Sequence, residues 1–158
     1  MPKEIERKFL VEPEAWKQFK KPEGKHYRQG YITGSDEVTI RVRVAESKGY
    51  LTLKSKTIGI SRDEFEYEVP YEEAIAMMNS FTKVGTEKIR YKIPAGDLVW
   101  EVDEFLGANA GLLVAEIELQ NENQAFDKPS WVGKEVSDDH RYFNSSLAVR
   151  PYGDWGEE

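Results

Sequence analysis

This 158-residue sequence predicts an α+β protein, mainly antiparallel β: an eight-stranded closed β-barrel, or tunnel, with a charged interior and an apolar outer face covered by a few helices. Three observations predict it. Apolar and polar residues alternate at a period of two through eight segments. Clusters of Gly, Pro, Asn, Asp and Ser separate those segments at hairpin spacing. Like charges recur at i and i+2, mostly one sign to a strand, which an open wet sheet has no reason to arrange.

The elements follow in order. "KEIERKFL" (3–10) opens the chain as a strand, with Glu4, Glu6 and Lys8 on one face and Ile5, Arg7 and Phe9 on the other. "PEAWKQFK" (13–20) predicts a short helix carrying Trp16 and Phe19 on one side. Strands are predicted at "YRQGYITG" (27–34), "EVTIRVRVAES" (37–47), "GYLTLKSK" (49–56) and "RDEFEYEVP" (62–70), with turns at "TGSD", "ESKG" and "TIGIS". In "YEEAIAMMNSF" (71–81), acids in the first turn precede Ala74, Met77, Met78 and Phe81 at i, i+3, i+4 and i+7, the pattern of an amphipathic helix. Its methionine pair reads as packing on the outside of the sheet. Further strands are "EKIRYKIP" (87–94), "LVWEVDEF" (98–105) and "LVAEIELQ" (113–120), separated by "PAGD" and "LGANAG". Ser137 and the acids after it predict the N-cap of a C-terminal helix over 137–149. No repeat or linker divides the chain, so residues 1–150 are expected to form one domain, with 151–158 a flexible acidic tail.

Composition excludes several chemistries. With no cysteine there are no disulfides, thiolate nucleophiles or zinc–thiolate sites. Only His26 and His140 could supply imidazole, and both read as surface or capping residues; Trp100 and Trp131 read as packing residues. No apolar run approaches the roughly 20 residues of a membrane span and no signal pattern precedes the charged N-terminus, so cytoplasmic residence without a membrane partner is expected. A net charge of −7 argues against broad nucleic-acid binding. A homodimer is compatible with the sequence.

The charges carry the functional argument. Arg41 pairs with Arg43, Lys54 with Lys56, Lys88 with Arg90, Glu101 with Asp103 and Glu116 with Glu118, while Glu64, Glu66 and Glu68 form an acidic row. Taken singly, any of these is an ordinary solvated face. Taken together, like charges about 6.5–7 Å apart on one face disfavour the fold unless opposite charge lies between them. Closing the sheet with these faces inward supplies it. The lumen then holds a basic sector (Lys8, Arg41, Arg43, Lys54, Lys56, Lys88, Arg90) and an acidic sector (Glu4, Glu6, Glu64, Glu66, Glu101, Asp103, Glu116, Glu118). Clustered guanidinium and ammonium groups suit a multiply charged tetrahedral anion. Clustered carboxylates without histidine or cysteine suit a hard divalent cation. A polyphosphate bound with Mg²⁺ or Mn²⁺ satisfies both, and with no glycine-rich phosphate loop the binding falls to side chains.

The ordered series of these motifs resembles the triphosphate tunnel metalloenzymes, or CYTH domain family. "EIERKFL" looks like its E-x-E-x-K signature, and "RQGY" (28–31), "RVR" (41–43), "TLKSK" (52–56), "RDEFEYEV" (62–69), "EKIRY" (87–91), "WEVDEF" (100–105), "AEIEL" (115–119) and "GKEVSDDHRYFN" (133–144) continue the match. It is closest in pattern to the small bacterial members acting on inorganic tripolyphosphate. The resemblance implies divalent-metal-dependent cleavage of a small-molecule triphosphate, with one or two ions. It further implies Glu4, Glu6, Glu118, Glu116 and Asp103 as metal ligands, Glu116 doubling as a water-positioner. Arg41, Arg43, Lys54, Arg62, Lys88 and Arg90 become the phosphate clamp, with Lys8 and Tyr31 a pair near the scissile end. Glu64, Glu66 and Glu101 match further acidic positions. Phe143 departs from the basic residue of close relatives. A nucleoside triphosphatase or class IV adenylyl cyclase of the same fold, and a non-catalytic polyphosphate-binding module, are the alternatives.

Overall fold

A computed structural model of the chain describes residues 3–34 and 37–155. Its strands are β1 (Lys3–Val11), β2 (Lys25–Gly34), β3 (Val38–Ala45), β4 (Lys48–Ser55), β5 (Ser61–Val69), β6 (Val84–Ala95), β7 (Leu98–Phe105), β8 (Leu113–Glu118) and β9 (Val132–Glu135). Three helices accompany them: α1 (Pro13–Gln18), α2 (Tyr71–Phe81) and α3 (Asn144–Val149). The expected closed eight-stranded barrel is present. Antiparallel neighbours run β5-β4-β3-β2-β6-β7-β8-β1, and β1 pairs back onto β5. Closure turns every second side chain toward the lumen, although residues 64–69 of β5 pair with β4 alone.

Closure is brief. Lys3, Glu4 and Ile5 pair with Asp63, Arg62 and Ser61, and beyond them β1 leaves β5 for β9, matching Phe9 to Glu135 and Val11 to Val132 across a register shift. This ninth strand was not expected. Four residues containing Gly133 show no usable alternation, and pairing with β1 supplies the order instead.

The C-terminal helix is also shorter than the 137–149 the sequence predicts. Ser137 is not its N-cap: its hydroxyl accepts from the Lys8 amide at 2.9 Å and donates to Glu135 at 2.7 Å. The acids cap a separate turn at His140–Tyr142, where Asp139 accepts from the Arg141 amide. Phe143, extended at φ −68° and ψ 138°, separates that turn from α3. Within the expected tail, Tyr152–Asp154 form a 3-10 turn and the Trp155 ring packs edge-on against Tyr142; residues 156–158 lie outside the described residues.

The apolar faces point outward, as the inward-charge arrangement requires. On one side Phe9, Ile93, Trp100, Ile117 and Trp131 form a core that α1 caps with Trp16 and Phe19. Edge-to-face contacts join Trp100 to Trp131 at 5.6 Å and Phe9 to Trp100 at 5.5 Å, each worth about 0.5–1.5 kcal/mol beyond area burial. On the other side α2 lays Ala74 and Met78 on Val42 and Val44. Phe81, expected as part of this cover, is 63% exposed instead. The helix ends there, with the Thr82 hydroxyl donating to the Met78 carbonyl, so Phe81 overruns the sheet it was to cover.

One contact fixes the lumen's shape between β2 and β6. Gly30 faces Gly85 across these strands, and a Cβ built on Gly85 would stand 2.2 Å from the Gln29 carbonyl oxygen. Gly85→Ala must therefore push apart the strands carrying Gln29, Tyr31 and Lys88. We expect a loss of about 2 kcal/mol or more, since overpacked sites typically cost 1–3 kcal/mol. A thermal melt should then fall by about 4–8 °C for a chain of this size, and an unchanged melting temperature would show that the strands separate at no cost.

Candidate active site

Strand pairing converts the one-sign-per-strand pattern into compensated neighbours. β4 against β5 sets Lys54 opposite Glu64, β6 against β7 sets Arg90 opposite Asp103, and β1 against β8 sets Lys8 opposite Glu116. The resulting ion pairs are close. Lys8 Nζ lies 2.6 Å from Glu116 Oε1, and Lys54 Nζ lies 3.0 Å from Glu4 Oε2 and 3.1 Å from Glu64 Oε2. Arg62 Nε adds a second cation to Glu4 at 3.0 Å.

The inward groups enclose a cavity of about 260 Å³ lined by Glu4, Glu6, Lys8, Tyr31, Arg41, Arg43, Lys54, Arg62, Glu64, Glu66, Lys88, Arg90, Glu101, Glu116 and Glu118. Two residues assigned to the lumen lie elsewhere. Lys56, at the end of its strand, is exposed and pairs with Glu37 at 3.6 Å. Asp103 is fully buried behind the lining, where Lys88 Nζ donates to it at 2.7 Å and Arg90 grips it with Nε and Nη2 at 2.8 and 2.9 Å. With both oxygens engaged, Asp103 braces Lys88 and Arg90 from beneath rather than facing the cavity. The lining also contains Tyr27, Thr39, Lys92, Ser137, Phe143 and Asn144, which sequence reading left out. Lys92 extends the i, i+2 row of Lys88 and Arg90 and was findable. Asn144 follows no strand period, and only the return of the C-terminus reveals it.

Compensation fails at two places. Glu6 stands directly opposite Glu118, and Glu101 opposite Glu116, like-charge pairs of the kind that destabilise a sheet. Lys8 relieves Glu116 and Arg90 relieves Glu101. Among the described residues, no side chain pairs with Glu6 or Glu118. Burial, reinforced by Glu116 and Glu4, pushes the Glu6 carboxyl well up, while burial with Glu4, Glu64 and Glu101 raises Glu118 to about 7. Burial pulls the other way at Glu4 and Glu116, but Lys54 holds Glu4, and Lys8 holds Glu116, well below the ordinary carboxylate range. The second failure is cationic. Arg43 Nη2 takes Glu66 at 3.2 Å, Arg41 reaches that shared carboxylate only at 3.9 Å, and both arginines keep buried Nε atoms without a partner among the described residues. Burial and the neighbouring Arg41 lower the Arg43 value. β3, which carries these arginines, lies four strands from β8 in either direction around the barrel. A wall short of anions thus faces a wall short of cations.

The donor set fits a hard divalent cation. Glu6 and Glu118 offer uncommitted carboxylate oxygens whose mutual repulsion such an ion relieves, and Glu4 sits beside them. Among the described residues no three acidic or imidazole side chains form a ready-made ligand group, and Glu4 is held by Lys54 and Arg62. Arg41 and Arg43 are matched instead to anionic oxygens.

Comparison with known proteins agrees with this geometry. The CYTH domain model matches residues 2–152. The chain is 50% identical over 158 residues to an inorganic triphosphatase of Acetivibrio thermocellus, covering 99% of this chain and all of that one. It is 37% identical to an inorganic triphosphatase of Nitrosomonas europaea, over 92% and 97% of the two chains. Among solved structures, the inorganic triphosphatase NE1496 superposes with a TM-score of 0.64 at 34% identity, over 94% and 96% of the chains.

The raised Glu118 value has a stability consequence. A carboxyl whose folded pKa lies above its unfolded one favours the fold while protonated, and that advantage is lost as pH rises through the folded value of about 7. Metal-free protein should therefore melt lower at pH 8 than at pH 6, and Glu118→Gln should flatten that difference. A Gln variant with the full pH dependence would mean that Glu118 is neutralised by another route.

Proposed function

The chain belongs to the CYTH domain family, and from that membership and the lining of its tunnel we propose that it hydrolyses a triphosphate, inorganic tripolyphosphate foremost, to pyrophosphate and orthophosphate. The observation that carries this reading is the opposition, inside one closed cavity, of a wall where Glu6 and Glu118 lack a cation and a wall where two arginines share the single carboxylate of Glu66. A simple anion binder gains nothing from Glu6 and Glu118 repelling each other, and a simple cation site gains nothing from Arg41 and Arg43 facing it.

Each lining residue then has a task. Arg41 and Arg43 present N–H donors to the phosphate oxygens, stiffened by the Tyr27 and Tyr50 rings, which lie 5.2 and 5.0 Å from the Arg43 guanidinium. Arg90, anchored along its Nε–Nη2 edge by Asp103, turns Nη1 toward the lumen, where it exchanges Glu101 for the same anion. Lys54 and Arg62 exchange Glu4 for phosphate oxygens as the substrate enters, which releases Glu4 toward Glu6 and Glu118. Mg²⁺ or Mn²⁺, one ion or two, held by Glu4, Glu6 and Glu118 supplies Lewis-acid neutralisation of the phosphate charge when bound. Glu116, kept ionised by Lys8, accepts a hydrogen bond from the attacking water. The water oxygen bonds to a terminal phosphorus as the bridging P–O bond breaks, so orthophosphate forms and pyrophosphate departs. Positioning and charge neutralisation supply most of the catalysis in such a transfer.

Phosphate release from tripolyphosphate, ATP and thiamine triphosphate, with Mg²⁺, with Mn²⁺ and with EDTA, tests this directly. Metal-dependent release should be fastest from tripolyphosphate and absent in EDTA. No release from it overturns the proposal, and cyclic AMP from ATP would identify a cyclase instead. Glu118→Gln should fold yet lose nearly all metal-dependent turnover. Arg43→Ala, losing a charge-assisted contact worth about 1.5–3 kcal/mol, should raise KM roughly tenfold or more. An unchanged KM would place Arg43 outside the clamp.

A further inference from the structure

We infer that Asn144 and Gln29 form a directional hydrogen-bond relay that fixes the Tyr31 hydroxyl as a donor pointing into the tunnel, which makes both of them positioning residues. Asn144 opens α3 and joins two elements through a single oxygen: its Oδ1 accepts from Lys88 Nζ at 3.0 Å and from Gln29 Nε2 at 3.2 Å. Gln29 Nε2 also donates to the Tyr31 hydroxyl at 3.0 Å. Gln29 is only 2% exposed and Tyr31 is 5% exposed, so water does not compete freely for these bonds.

The direction of each bond follows from the first donor. An ammonium has three N–H donors and no acceptor, so Lys88 compels Asn144 to present its oxygen. A carboxamide oxygen can only accept, so Gln29 must turn its NH₂ toward Asn144. The other hydrogen of that NH₂ then reaches Tyr31, whose oxygen must accept it. The Arg41 guanidinium, also donor-only, lies close enough to pull the pKa of the same phenol down. With Gln29 donating to the phenolic oxygen and a second donor-only group beside it, the phenol's own proton is left for an acceptor in the cavity that Tyr31 lines. Burial, the largest influence on this phenol, raises its pKa and keeps the proton in place. Lys88, for its part, spends one N–H on Asp103 and one on Asn144, leaving the third for an oxyanion. A segment 115 residues from Gln29 in sequence thus sets the polarity of a tunnel hydroxyl.

This inference rests on the triphosphatase reading for its substrate but not for its geometry, and the experiment separates the two. Gln29→Glu keeps shape while reversing polarity: a carboxylate only accepts, so Tyr31 must turn its proton onto it and away from the tunnel. With tripolyphosphate and Mg²⁺, Gln29→Glu and Tyr31→Phe should each lower kcat and kcat/KM in parallel by about 10²-fold, the cost typical of one lost transition-state donor. The double variant should be no slower than either single one. Asn144→Asp, which keeps the accepting oxygen, should retain wild-type kcat within a few fold, whereas Asn144→Leu should lose it with KM little changed. Additive losses in the double variant, or full kcat in Asn144→Leu, overturn the relay. Should the wild-type protein release no phosphate, the functional reading alone fails. The relay is then read by solvent exchange of the Gln29 side-chain amide protons, identified by their loss in Gln29→Glu. They should exchange at least tenfold faster in Asn144→Leu than in wild type, and equal rates overturn it.

Discussion

Everything in this molecule follows from putting charge inside a closed barrel. An isolated buried ion costs several kcal/mol, so each inward cation needs a carboxylate within reach, and antiparallel pairing of opposite-sign strands provides one. Lys54 with Glu4 and Glu64, Lys8 with Glu116, and Arg90 with Asp103 are the outcome. The segregation of sign by strand, odd in the sequence, is the means by which neighbouring strands neutralise one another. Where that scheme is left incomplete, at Glu6 with Glu118 and at Arg41 and Arg43, which share Glu66, the residual charges lie on opposed walls.

The same constraint explains which parts of the fold were legible in the sequence. Strand alternation survives closure unchanged, so β1, β3, β7 and the inward rows could be read from a period of two. Helix α2 announced itself through Ala74 and Met78 against Val42 and Val44. Lys56 was placed inside because the period continues past Lys54, yet its strand ends at Ser55 and the side chain escapes to Glu37. Asp103 was placed in the cavity for the same reason, but register cannot show that two cations lie above it.

The C-terminal segment was least legible because tertiary hydrogen bonds override its local signals. Ser137 has every mark of a helix cap, and the Lys8 amide claims it first. β9 has no period to read, since four residues paired to one strand need none. Asn144 ends the motif at 133–144 but follows no period that gives it a role: its importance comes from Lys88 and Gln29, on different strands, converging on one oxygen. These residues matter to the site because β1 pairs with β5 only through Ile5. Beyond that point the C-terminal segment holds Lys8 in register, with the Val136 amide donating to the Lys8 carbonyl at 2.8 Å.

Glu4 shows why a partly neutralised lumen serves a reaction better than a fully neutralised one. Had Lys54 and Arg62 possessed acids of their own, an entering anion would have to break settled pairs and leave the freed carboxylates facing one another. Here the two cations share Glu4, and Glu64 already contacts Lys54. A phosphate oxygen can therefore replace Glu4 while Lys54 keeps a partner. In the proposed reaction the released carboxylate would join Glu6 and Glu118, where its charge would raise a repulsion that a cation relieves. Anion entry and cation capture thus favour each other through one side chain. Coupling of this kind is reciprocal, so under the proposed function a divalent ion held by the acidic wall would tighten the basic wall's grip on the substrate by the same factor.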